Sequence, residues 1–445
     1  QWMSEAFWQK EYIGVNGGSD RMSYAASISY LDDGGVFAMS DYDVFTTHGN
    51  ASFKITKSLE ASTTFDISRQ RSSKFVDNYF NAFGRGIMFA PTARGFDEEV
   101  GWMSSGGNAN AQLASFYEAF YDREAATDRI SSTFNLKWRI IDGLTATAQY
   151  NYYGNNYRGS YYYKGNSLEQ TRSCTETRTE TLRDQFTAYL NFDRTFKRHQ
   201  IGVTAGYDYM AERYRYLTAN STYAPSDKVP VLQSGGNFTA SNKDTKEVLI
   251  SYFGRVNYNF DKRYILSFTA RADGSSKFRY NDDRWGVFWS VGGAWRISAE
   301  PWAADATWLT DLKLRADYGV IGNQNGIGRY AGYQTWSYGA TGYVTPGSYE
   351  PKGWKLTQNA FANENLTWEK KKTVDVGLDF RLWDRFYGTL DWYQTITDDA
   401  IWDAPVSYAM TGQKTLPMNS ARMRNRGFEL ELGVDCLLYT SDAAD

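Results

Sequence analysis

Two histidines, His48 and His199, two cysteines, Cys174 and Cys436, and several adjacent carboxylates are the raw material this chain offers to covalent or metal chemistry. A hydrolase needs a nucleophile beside a base that a third group orients. His48 shares the polar side of an alternating segment with Thr46 and Asn50, and His199 falls in a tight turn. Neither has a recognisable neighbouring pattern, so a Ser-His hydrolase is disfavoured. Two cysteines so distant in sequence make neither a disulfide framework nor a metal-ligand cluster. The pairs Asp32-Asp33, Glu98-Glu99, Asp282-Asp283 and Asp398-Asp399 fall at loop edges, where solvated charge is the default and calcium the alternative. The Gly-containing stretches 106–107 and 322–326 do not join a parallel strand to a helix, so neither is a phosphate cradle. The reading yields no catalytic residue, no metal site and no cofactor.

Binding chemistry is better supplied. Aromatic residues make up 17% of the chain, with 34 Tyr, 26 Phe and 15 Trp. Tyr161, Tyr162, Tyr163, Trp336, Tyr338, Tyr343 and Trp354 lie in long polar connections. Aromatic faces there stack on sugar C–H surfaces or peptide side chains, the alternative being that each ring packs its own loop. A net charge of -3 leaves no basic field for nucleic acid.

What positions these residues is a period-2 pattern. From Met22, the residues Tyr24, Ala26, Ile28 and Tyr30 alternate with Ser23, Ala25, Ser27 and Ser29. Ile130, Phe134, Leu136, Trp138 and Ile140 alternate with Ser131, Thr133, Asn135, Lys137 and Arg139. Asp142-Gly143 then supplies a two-residue hairpin turn, because such residues reach positive φ at little cost. The same pattern predicts about fifteen strands, at 10–16, 21–31, 43–56, 59–70, 128–141, 144–156, 182–196, 199–213, 246–260, 263–274, 285–297, 311–320, 367–383, 385–397 and 426–435. Short connections alternate with longer ones at 32–42, 71–127, 157–181, 214–245, 275–284, 321–366 and 398–425. Residues 298–310 are expected to hold a small helix.

No stretch approaches the ~18 consecutive apolar residues of a membrane helix, which leaves a soluble aromatic-rich β-protein or a transmembrane barrel. The barrel accounts for more. Its turns are tight on one side of the membrane and its loops long on the other. The polar strand face is mostly Ser, Thr, Asn, Gln and Gly with scattered charges, as a hydrated lumen allows. Tyr150, Tyr152 and Tyr153 cluster near a strand end, where interfacial girdles sit. Cross-strand packing in a soluble sheet is the competing explanation.

An ordered set of segments resembles the SusC/RagA family of TonB-linked outer-membrane proteins. It opens with Ser251-Tyr252-Phe253-Gly254-Arg255-Val256-Asn257-Tyr258 and continues through Arg263-Tyr264-Ile265-Leu266 and Arg271-Ala272-Asp273-Gly274-Ser275-Ser276-Lys277-Phe278. Arg284-Trp285-Gly286, Trp295-Arg296-Ile297-Ser298, residues 312–319 with Gly322-Asn323-Gln324, Asn365-Leu366-Thr367-Trp368-Glu369 and residues 423–430 complete it. Any one alone is weak; the set, spanning 251–430, is specific.

The resemblance implies an all-β, antiparallel up-and-down barrel of about 22 strands in a Bacteroidetes-like outer membrane, occluded by a plug. It also implies import of an oligosaccharide or peptide with a SusD-like surface lipoprotein and energy from TonB-ExbB-ExbD. Lumen charges such as Arg271, Asp273, Arg315, Asp317 and Asp375 would then face the plug or bridge one another. No signal peptide, plug or C-terminal barrel strand is recognisable, so residues 1–435 are expected to be a partial barrel. The final ten residues, 436–445, resemble the translation of a sequencing adapter. Two rival functions remain, a passive outer-membrane porin and a soluble secreted β-scaffold that is carbohydrate-active or adhesive.

Overall fold

A computed structural model gives the chain's structure and describes residues 5–35, 41–73, 96–97, 101–102, 121–165, 171–279, 284–303, 305–340, 354–360, 362–408 and 414–435. Among the described residues nineteen strands run in order: β1 Trp8–Gly18, β2 Met22–Asp33, β3 Tyr42–Lys54, β4 Leu59–Ser72, β5 Phe96–Asp97, β6 Gly101–Trp102, β7 Tyr121–Ile141, β8 Leu144–Tyr163, β9 Ser173–Phe196, β10 His199–Thr222, β11 Asn237–Phe260, β12 Tyr264–Ser275, β13 Trp285–Arg296, β14 Leu309–Asn323, β15 Thr335–Ala340, β16 Trp354–Ala360, β17 Glu369–Leu382, β18 Phe386–Pro405 and β19 Thr415–Val434. Fifteen of them form one sheet in the order β1-β2-β3-β4-β7-β8-β9-β10-β11-β12-β13-β14-β17-β18-β19. Each registered pair is antiparallel, an up-and-down meander. Every strand read from the alternation has its counterpart in this sheet. The pairs β5-β6 and β15-β16 stand apart from it.

The short connections are tight turns. Gly143 has φ +81°, and the pairs Asp261-Lys262 and Trp383-Asp384 also hold positive φ, as two-residue hairpins of matching twist require. Arg198 and Arg263 both pair with Asp261, Arg263 at 2.7 Å, tying two neighbouring turns together. They hold the Asp261 carboxyl down at about 2, chiefly through the Arg198 hydrogen bond.

Three expected loops are largely strand. β8 extends to Tyr163, β9 begins at Ser173 and β10 runs to Thr222, so 157–181 and 214–245 shrink to the connections 164–172 and 223–236. Likewise β18 reaches Pro405 and β19 begins at Thr415, leaving little of 398–425 as loop. These extensions are largely polar with interspersed aromatic residues and show no sustained alternation, yet their backbones belong to the paired strands. Within 321–366 lies the β15-β16 hairpin, and the small helix expected in 298–310 is two 3-10 turns, Ile297–Ala299 and Pro301–Ala303.

The strands have two faces. On β13 the residues Trp285, Val287, Trp289 and Val291 are exposed, Val287 by 68%, and β12 sets Phe268 opposite Val291. On β7, Ile130, Phe134, Trp138 and Ile140 repeat this, Phe134 being 50% exposed. So continuous an apolar surface is untenable in water and suits hydrocarbon. The principal buried apolar cluster is Phe278, Phe288, Ile327, Leu366 and Trp368, formed by loops and strand ends. By contact the chain divides into two units, one of Gln1–Lys137, Gln149–Phe186 and Ala211–Lys246, the other of Trp138–Ala148, Thr187–Met210 and Glu247–Asp445.

Candidate functional site

In the second unit, the polar face of the sheet carries an ion array. β14 and β17 pair so that Arg315 stands opposite Gly377, and β17 and β18 pair so that Gly377 stands opposite Asp391. Gly377 is what lets Arg315 reach across a strand. A Cβ there would lie 2.5 Å from the Arg315 Cζ and 2.2 Å from Asp391 Oδ1. Over that gap the Arg315 Nη2 donates to both Asp391 oxygens at 2.6 and 2.8 Å. Its Nε donates to Asp379 at 3.2 Å and its Nη1 to Asp375 at 3.4 Å, while Lys313 reaches Asp379 at 3.3 Å. Asp317 faces Asp375 across the β14-β17 pair. Four carboxylates thus surround two cations, an acidic surface complementary to cationic groups.

Of the five predicted lumen charges, Arg315, Asp317 and Asp375 fall in this array. The other two form a separate group, where Arg271 donates from Nε to Asp273 at 2.6 Å and from Nη2 to the Ser251 Oγ at 2.7 Å. Both Ser251 and Asp273 are buried.

Beyond that group, the distinctive motif segments converge. The Phe278 and Trp368 rings lie 5.2 Å apart, and Phe288 meets Trp368 edge-on at 5.5 Å. The Phe288 ring lies over Gly286 and Gly322, where an added Cβ would come within 2.2 and 2.0 Å of it. Hydrogen bonds close the surroundings: Trp368 Nε1 to the Arg284 carbonyl at 3.0 Å, Arg284 to the Tyr333 hydroxyl at 2.6 Å, and that hydroxyl to the Phe278 carbonyl at 3.1 Å. Lys277 pairs with Glu247 at 3.3 Å. Segments 271–278, 284–286, 322–324 and 365–369 therefore meet in one knot that fixes the loop bases, a convergence that sequence order alone does not reveal.

In the first unit, the tyrosine run ends β8. Tyr162 is only 2% exposed, so its ring faces are covered, a correction to its reading as an open stacking surface. Its hydroxyl is shared between Asp227 at 3.2 Å and the Ser226 carbonyl at 3.3 Å. Arg172 grips Asp227 through Nε at 2.8 Å and Nη2 at 3.1 Å, and the Gly165 amide adds a bond at 3.3 Å. The Arg172 hydrogen bond holds the Asp227 carboxyl below its usual range, against the opposing effect of burial. Burial, then the Asp227 charge, pushes the Tyr162 phenol up to about 12. Asp227 and Arg172, which organise this latch, carried no sequence signal, being single charges in polar segments. Tyr161 and Tyr163 are half-buried beside Tyr162.

Trp336 and Tyr338 occupy alternate positions of β15, and Trp354 opens β16, paired with Ala340. One hairpin thus gathers three of the predicted aromatics; Tyr343 lies outside the described residues, as do 436–445. His48 shares a hydrogen bond with Asp66 at 2.5 Å, and His199 with the Tyr258 hydroxyl at 2.8 Å. Ser27 stands opposite His48 in register, but no hydrogen bond to a serine or cysteine side chain completes a nucleophile pair among the described residues.

With this geometry in hand, comparison with known proteins is informative. A family profile described as "TonB dependent receptor-like, beta-barrel" matches residues 61–444, and so runs into the segment 436–445. TonB-dependent receptor P3 of Formosa agariphila is 28% identical over 94% of this chain and 43% of its own length. TonB-dependent receptor SusC of Bacteroides thetaiotaomicron is 35% identical over 42% of this chain and 18% of its own. The solved structure of the RagAB peptide transporter superposes with a TM-score of 0.84 at 23% identity, covering 97% of this chain and 48% of that one, a likeness of fold. The chain thus spans less than half the length of the curated relatives it matches.

Proposed function

The chain belongs to the TonB-dependent receptor β-barrel family of the outer membrane, and on that premise we propose that the protein actively imports a nutrient, an oligosaccharide or a peptide, across that membrane. The observation that carries the reading is the two-faced sheet: one face greasy and exposed, the other lined by the Arg315 array of fixed charge. Such a wall separates hydrocarbon from water, and its inner charges offer partners for a plug or a passing solute. Energy would come from TonB-ExbB-ExbD, and a SusD-like surface lipoprotein would present the substrate. Among the similar proteins, SusC is a TonB-dependent receptor and RagAB a peptide transporter, which supports coupling to TonB and the peptide class.

Within this reading, Tyr161, Tyr163, Trp336, Tyr338 and Trp354 would contact substrate at the long-loop end, and Arg271, Asp273, Arg315, Asp317 and Asp375 would face the plug. The test is uptake of labelled oligosaccharides and labelled peptides by cells with and without the gene, each with and without TonB. Active import predicts uptake of one class that vanishes when either gene is lost. Uptake that persists without TonB would mean a passive pore instead.

A further inference from the structure

In the first unit, the two faces of strands β7 to β11 treat their charges differently. On the face that carries the exposed Ile130, Phe186 and Leu217, charges are paired: Arg69 with Asp128 at 2.6 Å, Arg215 with Glu180 at 2.9 Å and Arg213 with Asp244 at 2.8 Å. The opposite, inner face has contacts of its own. Thr175 donates to Asn220 at 2.7 Å, Arg183 donates to Glu212 at 2.9 Å and lies over the Tyr153 ring at 5.7 Å, and Arg129 donates to Asn155 at 3.2 Å. By alternation from these residues, Tyr157, Thr179, Thr181, Tyr214 and Tyr216 also belong to the inner face. So does Lys243, because its neighbour Asp244 bonds Arg213 on the outer one.

The spacing of the Thr177–Thr218 and Arg183–Glu212 contacts sets Thr179 opposite Tyr216 and Thr181 opposite Tyr214. Tyr157 lies flat along the wall, since a Cβ on Gly159 would come 2.6 Å from its hydroxyl oxygen and 3.0 Å from its Cζ. The hydroxyls of Tyr157, Thr179, Thr181 and Tyr216 have no hydrogen-bond partner among the described residues. Glu212, held by Arg183, is the one carboxylate on this stretch of the inner face among the described residues, so Arg129 and Lys243 pair with none. The result is a wall of rings and open hydroxyls with a cation on each flank, Arg129 on β7 and Lys243 on β11. Those strands lie four places apart in the sheet, roughly 19 Å at about 4.8 Å per strand.

We propose that this wall binds an acidic oligosaccharide, with sugar rings on Tyr157 and Tyr216, sugar hydroxyls on Thr179 and Thr181, and carboxylate or sulfate groups on Arg129 and Lys243. The inference rests on the import reading above and names the cargo within it. A neutral glycan would leave both cations without a partner. A peptide would bring apolar side chains to a surface of hydroxyls that has no apolar pocket for them. Rings for C–H faces, hydroxyls for hydroxyls and cations at a distance together select a long, hydroxyl-rich anion.

The test is titration calorimetry on the full-length protein purified in detergent. The probes are oligogalacturonate, a sulfated galactan oligosaccharide, the neutral form of each made by carboxyl reduction or desulfation, and an oligoglutamate peptide. At least one acidic oligosaccharide should bind, and added salt should weaken it. Its neutral form, and the acidic form on Arg129→Gln with Lys243→Gln, should bind on the order of tenfold or more weakly, as loss of charge-assisted hydrogen bonds predicts. Tyr157→Ala and Tyr216→Ala should each weaken it about three- to tenfold, while Tyr216→Phe, which keeps the ring, should retain most of the affinity. Unchanged heat-modifiable mobility shows that each variant is folded. Failure of both acidic oligosaccharides to bind, equal binding of the neutral form, tighter binding of the peptide, or undiminished affinity in the folded double variant would each overturn the proposal. Binding in detergent needs no TonB, so uptake that persists without TonB would count against active import alone.

Discussion

The two units hold their long-loop ends in opposite ways. In the first, one carboxylate, Asp227, gathers the Arg172 guanidinium, the Tyr162 hydroxyl and the Gly165 amide into a polar latch between connections 164–172 and 223–236. In the second, Phe278, Phe288, Ile327, Leu366 and Trp368 pack into an apolar knot. A latch of charge-assisted bonds is directional and sensitive to pH and salt. A knot of rings is sensitive to shape and volume and nearly indifferent to either. The same task, restraining tall hairpins outside the membrane, therefore leaves two different signatures.

The largest effect is expected from Trp368→Ala. It empties the centre of the knot and should cost about 3–5 kcal/mol of barrel stability, measured by denaturant unfolding of the full-length protein in detergent. Gly322→Ala attacks the knot from the other direction. Its Cβ would meet the Phe288 ring at 2.0 Å, and because that ring is packed against Trp368 it has nowhere to go. An overpacking cost of about 1–3 kcal/mol is expected in the same assay. Neither effect should change with salt; a strong salt dependence would erase the contrast between the units.

Smaller effects belong to the latch. Tyr162→Phe removes one hydroxyl and keeps the ring, so about 1 kcal/mol of local stability is at stake, readable as faster proteolysis within 164–172 and 223–236. The native phenol titrates at about 12 instead of 10.0, so its raised value favours the folded state at every pH below 10.0. That contribution is lost as pH rises through about 12, and tyrosinate absorbance should appear together with the proteolytic opening. The smallest effect comes at the acid end. The Asp227 carboxyl is held below its usual range by Arg172, so it stabilises the fold above that range, and the gain fades as pH falls through the lowered value. Partial solvent exposure limits this to less than about 1 kcal/mol, and added salt should shrink it further. Acid opening equally strong in Asp227→Asn would remove the carboxylate from the explanation.

Sequence and structure agree where hydropathy contrast exists. Ile130, Phe134, Trp138 and Ile140 alternate with polar residues because one face of β7 meets hydrocarbon, and that contrast is visible in a single chain. Past the hydrocarbon edge both faces meet water. Thr175, Glu176, Thr177, Arg178, Thr179 and Glu180 are all polar, so the periodicity vanishes although β9 continues through them. Their strand identity rests on pairing with neighbours, including the Thr175–Asn220 bond at 2.7 Å, and no local pattern encodes a partner. The sites behave likewise. Arg271, Asp273, Arg315, Asp317 and Asp375 were legible as polar-face charges because the face is periodic, whereas the crossing of Arg315 over Gly377 depends on register. Tyr162 looked like its neighbours in sequence; only the approach of Asp227 from a distant connection distinguishes it.

Strand length has a further consequence. β9, β10 and β11 each run 24 residues, roughly 80 Å of chain at about 3.3 Å per residue, while a bilayer crossing uses about 10. Above the lipid, an opened backbone pair trades its partner for water at small net cost; at hydrocarbon depth, the same opening strands groups that nothing else can satisfy. Fraying that starts at the tips is therefore cheap until it reaches the apolar, lipid-facing part of the strands, as at Ile130, Phe134, Trp138 and Ile140 on β7, where the lipid itself acts as the stop on the zipper.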